Sequence, residues 1–384
     1  MALPKSADVV IVGGGVMGAS IAYHLAARGI KNILLLEKEE FFGLGATGRC
    51  AGGVRYQFST EVNVRLSIKS LPMLERFEGE IGQAIDYRQC GYLFLITRPE
   101  ELLAFQRNQA LQNQLGVNTE WWEGDEIRRR LPLMRLEDVL AGSFNSKDGI
   151  VDPNSVVLGY IRAAQRLGVI AQTGVTVQAI QVTGGAISRV ETTDGAVSTP
   201  VVFNAAGPWA GQVGRMAGVE IPITPVRRQW FTTTPLPEIP PDFPFVIDFA
   251  QSLYFHREGP GLLIGMSNPD EPPGFDQNVD SAWELKNLEA ATDRMPLLEK
   301  AGLASRWAGL YEITPDAHPI FGKTPVKGLY VCTGFSGHGF MHGPVAGVLM
   351  AECLLDGRAT TVDISMLDLA RFEEGRLIRE YNVV

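Results

Sequence analysis

Three glycine-rich loops, each following an apolar run, hold the residues whose types and spacing could do chemistry. The first is Gly13-Gly-Gly15-Val16-Met17-Gly18, directly after Asp8-Val-Val-Ile-Val12. Gly13 permits a tight turn, Gly15 lets backbone approach a pyrophosphate, and Gly18 lets a helix pack closely on its strand. A helix N-terminus behind such a loop offers free N–H groups and partial positive charge to phosphates. Nineteen positions beyond Gly18, the run Ile33-Leu-Leu-Leu closes on Glu37 and Lys38. A carboxylate at that point accepts hydrogen bonds from a ribose diol and repels a 2′-phosphate, so the pattern favours FAD or NAD over NADP.

The second loop runs from Phe42 to Arg55 and includes Gly45, Ala46, Thr47, Arg49, Cys50, Ala51, Gly52 and Gly53. Five glycines in fourteen residues are too loose for a regular element. Alanine and valine replace the serine and charge of a surface linker, so it reads as a loop lying against a cofactor. Val202-Phe-Asn-Ala205-Ala206-Gly207-Pro-Trp209 is a strand entering a small-residue turn. It leaves room for something flat, although a tight strand–helix crossing selects the same residues. The third loop is Gly334-Phe335-Ser336-Gly337-His338-Gly339-Phe340-Met341, after the apolar run Leu329–Thr333. Pro344 suits a first helical position, which predicts a helix over Pro344–Leu355 with its N-terminus behind the loop. Its dipole would stabilise negative charge. Reduced flavin carries negative charge, whereas a nicotinamide loses its charge on taking up hydride, so the arrangement suits a flavin. A serine nucleophile elbow needs GxSxG, and His338 stands where its last glycine belongs.

Arg55 presents a fork that can hold a carboxylate by two parallel hydrogen bonds, or a plain surface ion pair. Tyr254, His256 and Tyr311 fall in strand-like segments, as pocket walls or as satisfied, half-buried aromatics.

The elements that must position these groups read as α/β. A helix over about Val16–Arg28 carries Ala19, Ala22, Leu25 and Ala26 on one face and stops at Gly29. Helices are expected over Glu61–Phe77, Pro99–Leu115, Val156–Leu167 and Ser281–Arg294. Strands are expected at Gly91–Thr97, Gly116–Trp122, Gly174–Val177, Phe245–Phe249, Leu253–His256 and Leu262–Gly265. Strands near Ile187–Thr192 and Val201–Asn204 are expected to bracket a hairpin turn at Asp194-Gly195. Five prolines in residues 235–244 read as an extended connection. The pattern predicts a discontinuous nucleotide domain with residues of about 85–148 inserted into it.

Composition narrows the class. The 384 residues are 45% hydrophobic and 20% charged, a globular profile long enough for two domains. A net charge of -9 without a Lys/Arg block argues against nucleic acid and anionic membrane as partners. Four scattered cysteines, with no CxxC, and five histidines, with no HExxH, argue against a metal site or a disulfide framework. The first strand begins after seven residues, and no apolar run reaches the ~20 residues of a membrane span. A cytoplasmic protein is the expectation.

Together the loops resemble the D-amino-acid oxidase/glycine oxidase superfamily of FAD-dependent oxidoreductases. Within it the sequence looks closest to the sarcosine oxidase branch, which includes sarcosine and dimethylglycine dehydrogenases and the β subunit of archaeal L-proline dehydrogenase. The similarity rests on Gly13–Glu37, Gly45–Arg55, Asn204–Trp209, Tyr311-Glu-Ile-Thr-Pro-Asp316 and Gly334–Gly339, and spans nearly the whole chain. It implies a Rossmann-like FAD domain made of residues 1–85, 149–222 and 320–384. It implies a substrate domain of residues 86–148 and 223–319 with a large mixed sheet. It places the Val175 backbone at the adenine end, Arg55 on the substrate carboxylate, and Tyr254 and Tyr311 in the pocket.

Departures from the family pattern are equally informative. Gly309 and Leu310 stand where some members carry a flavin-linking cysteine, and Arg49 stands where others carry a flavin-linking histidine, which implies non-covalent FAD. Met341 replaces a second carboxylate-binding lysine. Leu263 or a neighbour replaces an oxygen-activating lysine, which points towards a dehydrogenase.

The resulting expectation is oxidation of the C–N bond of a small secondary or tertiary amino acid, with hydride passing to flavin N5 and an imine that hydrolyses. Electrons would pass to O2 or to a partner acceptor. The alternatives are the β subunit of a heteromeric dye-linked dehydrogenase, an NAD-dependent dehydrogenase, and a non-catalytic FAD-bound assembly protein.

Overall fold

The computed structural model describes residues 3–383. The chain opens with β1 (Val9–Val12), α1 (Val16–Ala27) and β2 (Ile33–Leu36), then β3 (Gly53–Val54), α2 (Glu61–Glu75) and α3 (Phe77–Ile81). Next come β4 (Tyr92–Ile96), α4 (Pro99–Gln114), β5 (Glu120–Glu123), α5 (Gly124–Arg130) and β6 (Ala141–Asn145). A middle stretch follows with β7 (Gly149–Ile150), α6 (Pro153–Arg166), β8 (Ile170–Gln172), β9 (Val177–Thr183), β10 (Ala186–Thr192), β11 (Gly195–Ser198), β12 (Val202–Asn204) and α7 (Ala210–Met216). Then come β13 (Thr224–Thr233), β14 (Phe245–Asp248), β15 (Leu253–Glu258), β16 (Gly261–Met266), α8 (Ser281–Arg294) and β17 (Leu303–Ile313). The last regular elements that concern the site are β18 (Ile320–Lys323), β19 (Leu329–Thr333) and α9 (Gly339–Leu355).

Two sheets organise the molecule. The six-stranded sheet has the order β18-β19-β12-β1-β2-β8 and is parallel except for β18. Val9–Val12 and Ile33–Leu36 are buried on both faces, which is why they read as unbroken apolar runs. The eight-stranded sheet has the order β17-β13-β16-β15-β14-β4-β6-β5 and is mixed, because β4 runs parallel to β14. All eight strands lie in residues 92–145 and 224–313; the six strands of the other sheet lie outside those spans. Among the described residues no helix is long and apolar enough to cross a membrane.

Several local expectations are corrected. The helix expected over Pro344–Leu355 begins at Gly339, with Pro344 inside it. Pro344 has no N–H to give, but Phe340, Met341, His342 and Gly343 are all buried, and that tertiary burial outweighs one lost helical bond. Gly174–Val177 is not a strand: Gly174 and Val175 donate to the carbonyls of Glu39 and Glu37 across the end of β2, and β9 starts only at Val177. The turn at Asp194-Gly195 joins β10 to β11, whereas Val202–Asn204 pairs with β1 in the parallel sheet. Strands β6 and β13 are additional to the expected set, and the strand-like segment around Tyr311 extends over Leu303–Ile313 as β17.

The segment after α9 is fastened by a fully buried ion pair. Arg371 Nε donates to Asp316 Oδ2 (2.8 Å) and its terminal nitrogens donate to Asp316 Oδ1 and to the carbonyls of His318, Leu367 and Asp368. Both side chains are 0% exposed. Removing one partner leaves a buried charge without compensation, so Arg371→Ala is expected to cost ~3–5 kcal/mol of unfolding free energy in denaturant titrations.

Candidate active site

A cleft of about 380 Å³, within the usual range for ligand pockets, runs along the carboxyl ends of β1, β2 and β12. Gly13 holds φ +111, and a Cβ there would lie 2.4 Å from the Ala205 carbonyl oxygen. A Cβ on Gly18 would lie 1.8 Å from the Gly13 carbonyl oxygen. The turn and the α1–β1 contact therefore exist only with glycine at these positions. Gly15, Val16 and Met17 bring the N-terminus of α1 to the cleft, and Gly339 and Phe340 bring that of α9. Two helix N-termini converging on one cleft suit an anionic ligand.

Glu37 lines the cleft and is held in place by backbone. Its Oε2 accepts from Gly14 N (2.7 Å) and its Oε1 from Glu39 N (2.9 Å), leaving lone pairs for a diol. Lys38 lies 3.4 Å over the Trp209 ring, and both residues line the cleft. Gly45, Ala46, Thr47, Val175, Ala205, Ala206 and Gly207 line the cleft too, and Thr47 Oγ1 accepts from Val16 N. The expected residues thus form a cradle that a dinucleotide fits.

A second cavity, about 70 Å³, adjoins the first; Cys50, Tyr311, Gly337 and Phe340 line both. It has room for on the order of five water-sized groups. Its aromatic wall comes from one face of the eight-stranded sheet. Ile247 pairs with Tyr254, Tyr254 with Gly265, and Gly265 with Trp230, in a row across four strands. Tyr92 pairs with Phe245 in register and stacks on it at 4.1 Å. The roof comes from Ala51, Gly52 and Gly53 of the second loop and from Ser336, His338 and Met341 of the third.

Arg55 projects into this cavity from the strand end after Gly53-Val54 and is 5% exposed. Its terminal nitrogens donate to the carbonyls of Gln57 and Asn382, and its guanidinium lies 4.1 Å over the Phe58 ring. No carboxylate forms an ion pair with it among the described residues. Burial pushes its pKa down, opposed by the more distant Tyr92, Glu380 and Asp148. Asp148 accepts from Tyr56 N and Gln57 Nε2, and burial raises its carboxyl to about 7.

The other ionisable groups of the cavity stay neutral. Burial drives His338 well below the usual imidazole range, with Arg55 adding to the effect, and neither ring nitrogen has a partner. Burial raises the phenols of Tyr92, Tyr254 and Tyr311. Burial also pushes the Cys50 thiol up to about 12, so it stays protonated and is no nucleophile.

Some expected residues lie elsewhere. His256 is outside the cavity lining: it sits 4.9 Å from the Phe245 ring with Nδ1 on the Arg257 carbonyl, and burial lowers its pKa to about 4. Arg49 points away, donating to the carbonyls of Leu44 and Ala308, with its Cβ against Gly309. Gly309, Gly334 and Phe335 line neither cavity; Phe335 is core, packed edge-on against Phe321. Tyr92, Trp230, Phe245, Ile247 and Val383 line the small cavity without having been singled out. Phe245 and Ile247 share a strand face at i, i+2, the one local signal that could have found them.

Comparison with known proteins agrees with this geometry. The family described as FAD dependent oxidoreductase (DAO) matches residues 8–353. Mitochondrial dimethylglycine dehydrogenase of Rattus norvegicus is 31% identical over 387 residues, covering 95% of this chain and 45% of that protein. The chain therefore spans less than half the length of that curated relative. The crystal structure of L-proline dehydrogenase from P. horikoshii superposes with a TM-score of 0.91 at 33% identity, over 98% of this chain and 100% of that one. That of glycine oxidase from Geobacillus kaustophilus gives 0.85 at 26% identity, over 96% and 99%.

A methyl on Gly15 would meet only Thr47 Oγ1, at 3.1 Å, but would stand where backbone must approach the pyrophosphate. Gly15→Ala is expected to keep its melting profile as apoprotein and to weaken FAD retention about tenfold, read as the flavin-to-protein absorbance ratio after gel filtration.

Proposed function

The chain belongs to the DAO family of FAD-dependent oxidoreductases, and from that premise we propose that it oxidises the C–N bond of a small amino acid bearing a secondary or tertiary amine. One observation carries the reading: a buried guanidinium without an anionic partner among the described residues, in an aromatic cavity that opens onto the cofactor cleft. In this reading residues 1–85, 149–222 and 320–384 hold the cofactor, and 86–148 and 223–319 hold the substrate. FAD, held without a covalent link by the Gly13–Gly18 loop, Glu37 and the Gly334–Met341 loop, would supply the acceptor for hydride from the substrate carbon.

Arg55 receives the substrate carboxylate in its fork, which orients the amine-bearing carbon. Tyr92, Phe245, Trp230 and Tyr254 exclude water. That desolvation lowers the amine pKa, so the amine sits in the neutral form that can release hydride. The Tyr254 and Tyr311 hydroxyls and the neutral His338 ring are the polar groups available to orient it. The product imine hydrolyses after leaving the cavity.

A dehydrogenase is favoured over an oxidase by a specific feature. Arg55 is the one permanently charged side chain among the described residues lining the small cavity, with Met341 in the lining and Leu263 buried in the apolar cluster beside Tyr254. Among the described residues lining that cavity no second cation stands ready to stabilise superoxide, and Arg228 lies outside the lining, over the Tyr311 ring at 5.1 Å. A partner acceptor, supplied by another subunit as the β-subunit alternative has it, fits this arrangement. The protein of P. horikoshii it resembles is itself a dehydrogenase by name.

Anaerobic mixing with sarcosine, dimethylglycine, proline, glycine and D-alanine in turn, followed at the visible flavin band, tests the proposal. Bleaching by a secondary or tertiary amine with slow recovery in air is expected. A yellow protein that none of them bleaches overturns it. Arg55→Ala should weaken substrate binding by ~3–5 kcal/mol, roughly two to four orders of magnitude in KM. Unchanged kinetics would remove Arg55 from the site.

The pH profile follows from the neutral pocket. His338 lies far below its usual range, and the phenols lie above theirs, so neither titrates near neutrality. The rate of flavin reduction should rise with pH through the bound substrate's own ammonium pKa, and His338→Gln should leave that limb in place. Loss of the limb in the variant would make His338 the titrating base.

A further inference from the structure

The segment following Arg371 runs back towards the small cavity and contributes to its wall. Ile378 N reaches the Asp316 carboxylate, and Glu380 N donates to the Asp316 carbonyl (3.2 Å). The Glu380 carboxylate is then gripped by six donors. Ser59 N and Oγ and Asn382 N approach one oxygen; Thr60 N, Thr60 Oγ1 and Asn63 Nδ2 approach the other. Burial opposes the charge of Glu380, but these hydrogen bonds prevail and hold its carboxyl below the usual range. Two residues on, the Asn382 carbonyl accepts from Arg55, and the Asn382 side chain accepts from Asn108 Nδ2 (3.1 Å). Val383 lines the small cavity.

A guanidinium can turn about its side-chain torsions, and its use in carboxylate recognition depends on a fixed plane. Gln57 O and Asn382 O together fix it here. The Asn382 carbonyl therefore positions the one cation of the cavity, and Val383 closes the cavity beside it. We propose that residues 380–383 are part of the substrate site: Glu380 clamps the segment, the Asn382 carbonyl orients Arg55, and Val383 limits the size of the amino acid admitted. The proposal rests on Arg55 as the carboxylate anchor. Glu380 and Asn382 are positioning residues, and Val383 is a specificity-determining wall.

The test uses the FAD-loaded protein and two readouts. In the first, acetate, propionate and butyrate are titrated against the visible flavin spectrum, giving a dissociation constant for each. Val383→Ala should improve butyrate relative to acetate on the order of tenfold, the discrimination that one or two methylenes in an apolar pocket carry. Val383→Phe should weaken butyrate the most. Glu380→Gln places an amide N–H₂ among donors, so it should weaken all three carboxylates evenly without changing their order. In the second readout, anaerobic flavin reduction is followed with sarcosine and N-ethylglycine. Val383→Ala should lower KM for N-ethylglycine with little change in the limiting reduction rate. Carboxylate ratios that stay within twofold of the parent in both Val383 variants overturn the proposal. Melting curves of the apoprotein identify any variant that fails to fold, and the milder Val383→Ala then decides.

The readouts separate this inference from the reading it rests on. Bleaching by an amine with carboxylate preferences indifferent to Val383 overturns the wall alone. Preferences that follow Val383 in a protein no amine bleaches uphold the wall and overturn amine oxidation. A parent protein whose spectrum answers to none of the carboxylates overturns both.

Discussion

A full positive charge buried with no carboxylate paired to it among the described residues is the constraint around which the rest of the site is arranged. Transfer of such a charge from water is costly unless hydrogen bonds and polarisable groups receive it. Arg55 has two backbone carbonyls, the faces of Phe58 and Phe94, and among the described residues no ion pair. The two nearby acids do not neutralise it. Asp148 is spent on Tyr56 N and Gln57 Nε2, and Glu380 is spent on six donors of its own. A structural arginine acquires a partner, as Arg371 and Arg294 do in this protein. An arginine held apart from the acids around it is the arrangement that the proposed carboxylate anchor requires.

The glycines that make the loops look like phosphate cradles also make the tyrosine wall. A Cβ on Gly53 would lie 2.0 Å from the Tyr92 hydroxyl, one on Gly265 2.4 Å from the Tyr254 ring, and one on Gly337 2.3 Å from the Tyr311 ring. Each pocket tyrosine thus fills space that a glycine leaves open. The loops therefore serve both cavities at once: backbone close to the dinucleotide on one side, aromatic surface close to the substrate on the other. This explains why glycine is dense in the second loop and recurs in β16, where no phosphate contact is in prospect.

What was legible in the sequence was local. Gly13, Gly15, Gly18 and Glu37 sit in one strand–turn–helix–strand unit, and turn chemistry plus unbroken apolar runs are enough to place them. Ser281–Arg294 was legible because Asp280 caps it and Arg294 ends it within one segment. The eight-stranded sheet was legible at its centre and not at the edge formed by β13 and β17. β13 carries Arg227, Arg228 and Gln229 among its apolar residues, and the first half of β17 is exposed, so neither shows a clean period of two. Pro344 misled because proline marks helix starts on average, while here burial of the preceding turn decides. The walls supplied by Tyr92, Trp230 and Val383 come from positions scattered over the chain, and no spacing rule joins them.

β17 joins the two cavities mechanically. Leu310, Tyr311 and Glu312 line the cofactor cleft, and Tyr311 lines the small cavity as well. Glu312 is buried, which raises its pKa, and its carboxylate accepts from Thr333 Oγ1 (2.8 Å) and Phe335 N (3.2 Å). That fastens the third glycine loop to the strand. Two and four residues further, Thr314 and Asp316 lead to Arg371, and from there the chain returns through Glu380 to Arg55. Cofactor loop, β17, the Thr-Pro-Asp turn and residues 380–383 form one hydrogen-bonded line from the cleft to the cation. Reactivity of a bound amino acid depends on the separation between the anchored carboxylate and the cofactor, and a displacement near 1 Å is enough to cost about a hundredfold in rate. A line with a buried ion pair and a six-donor carboxylate along its length keeps that separation fixed, because each joint would have to lose buried hydrogen bonds before it could slide.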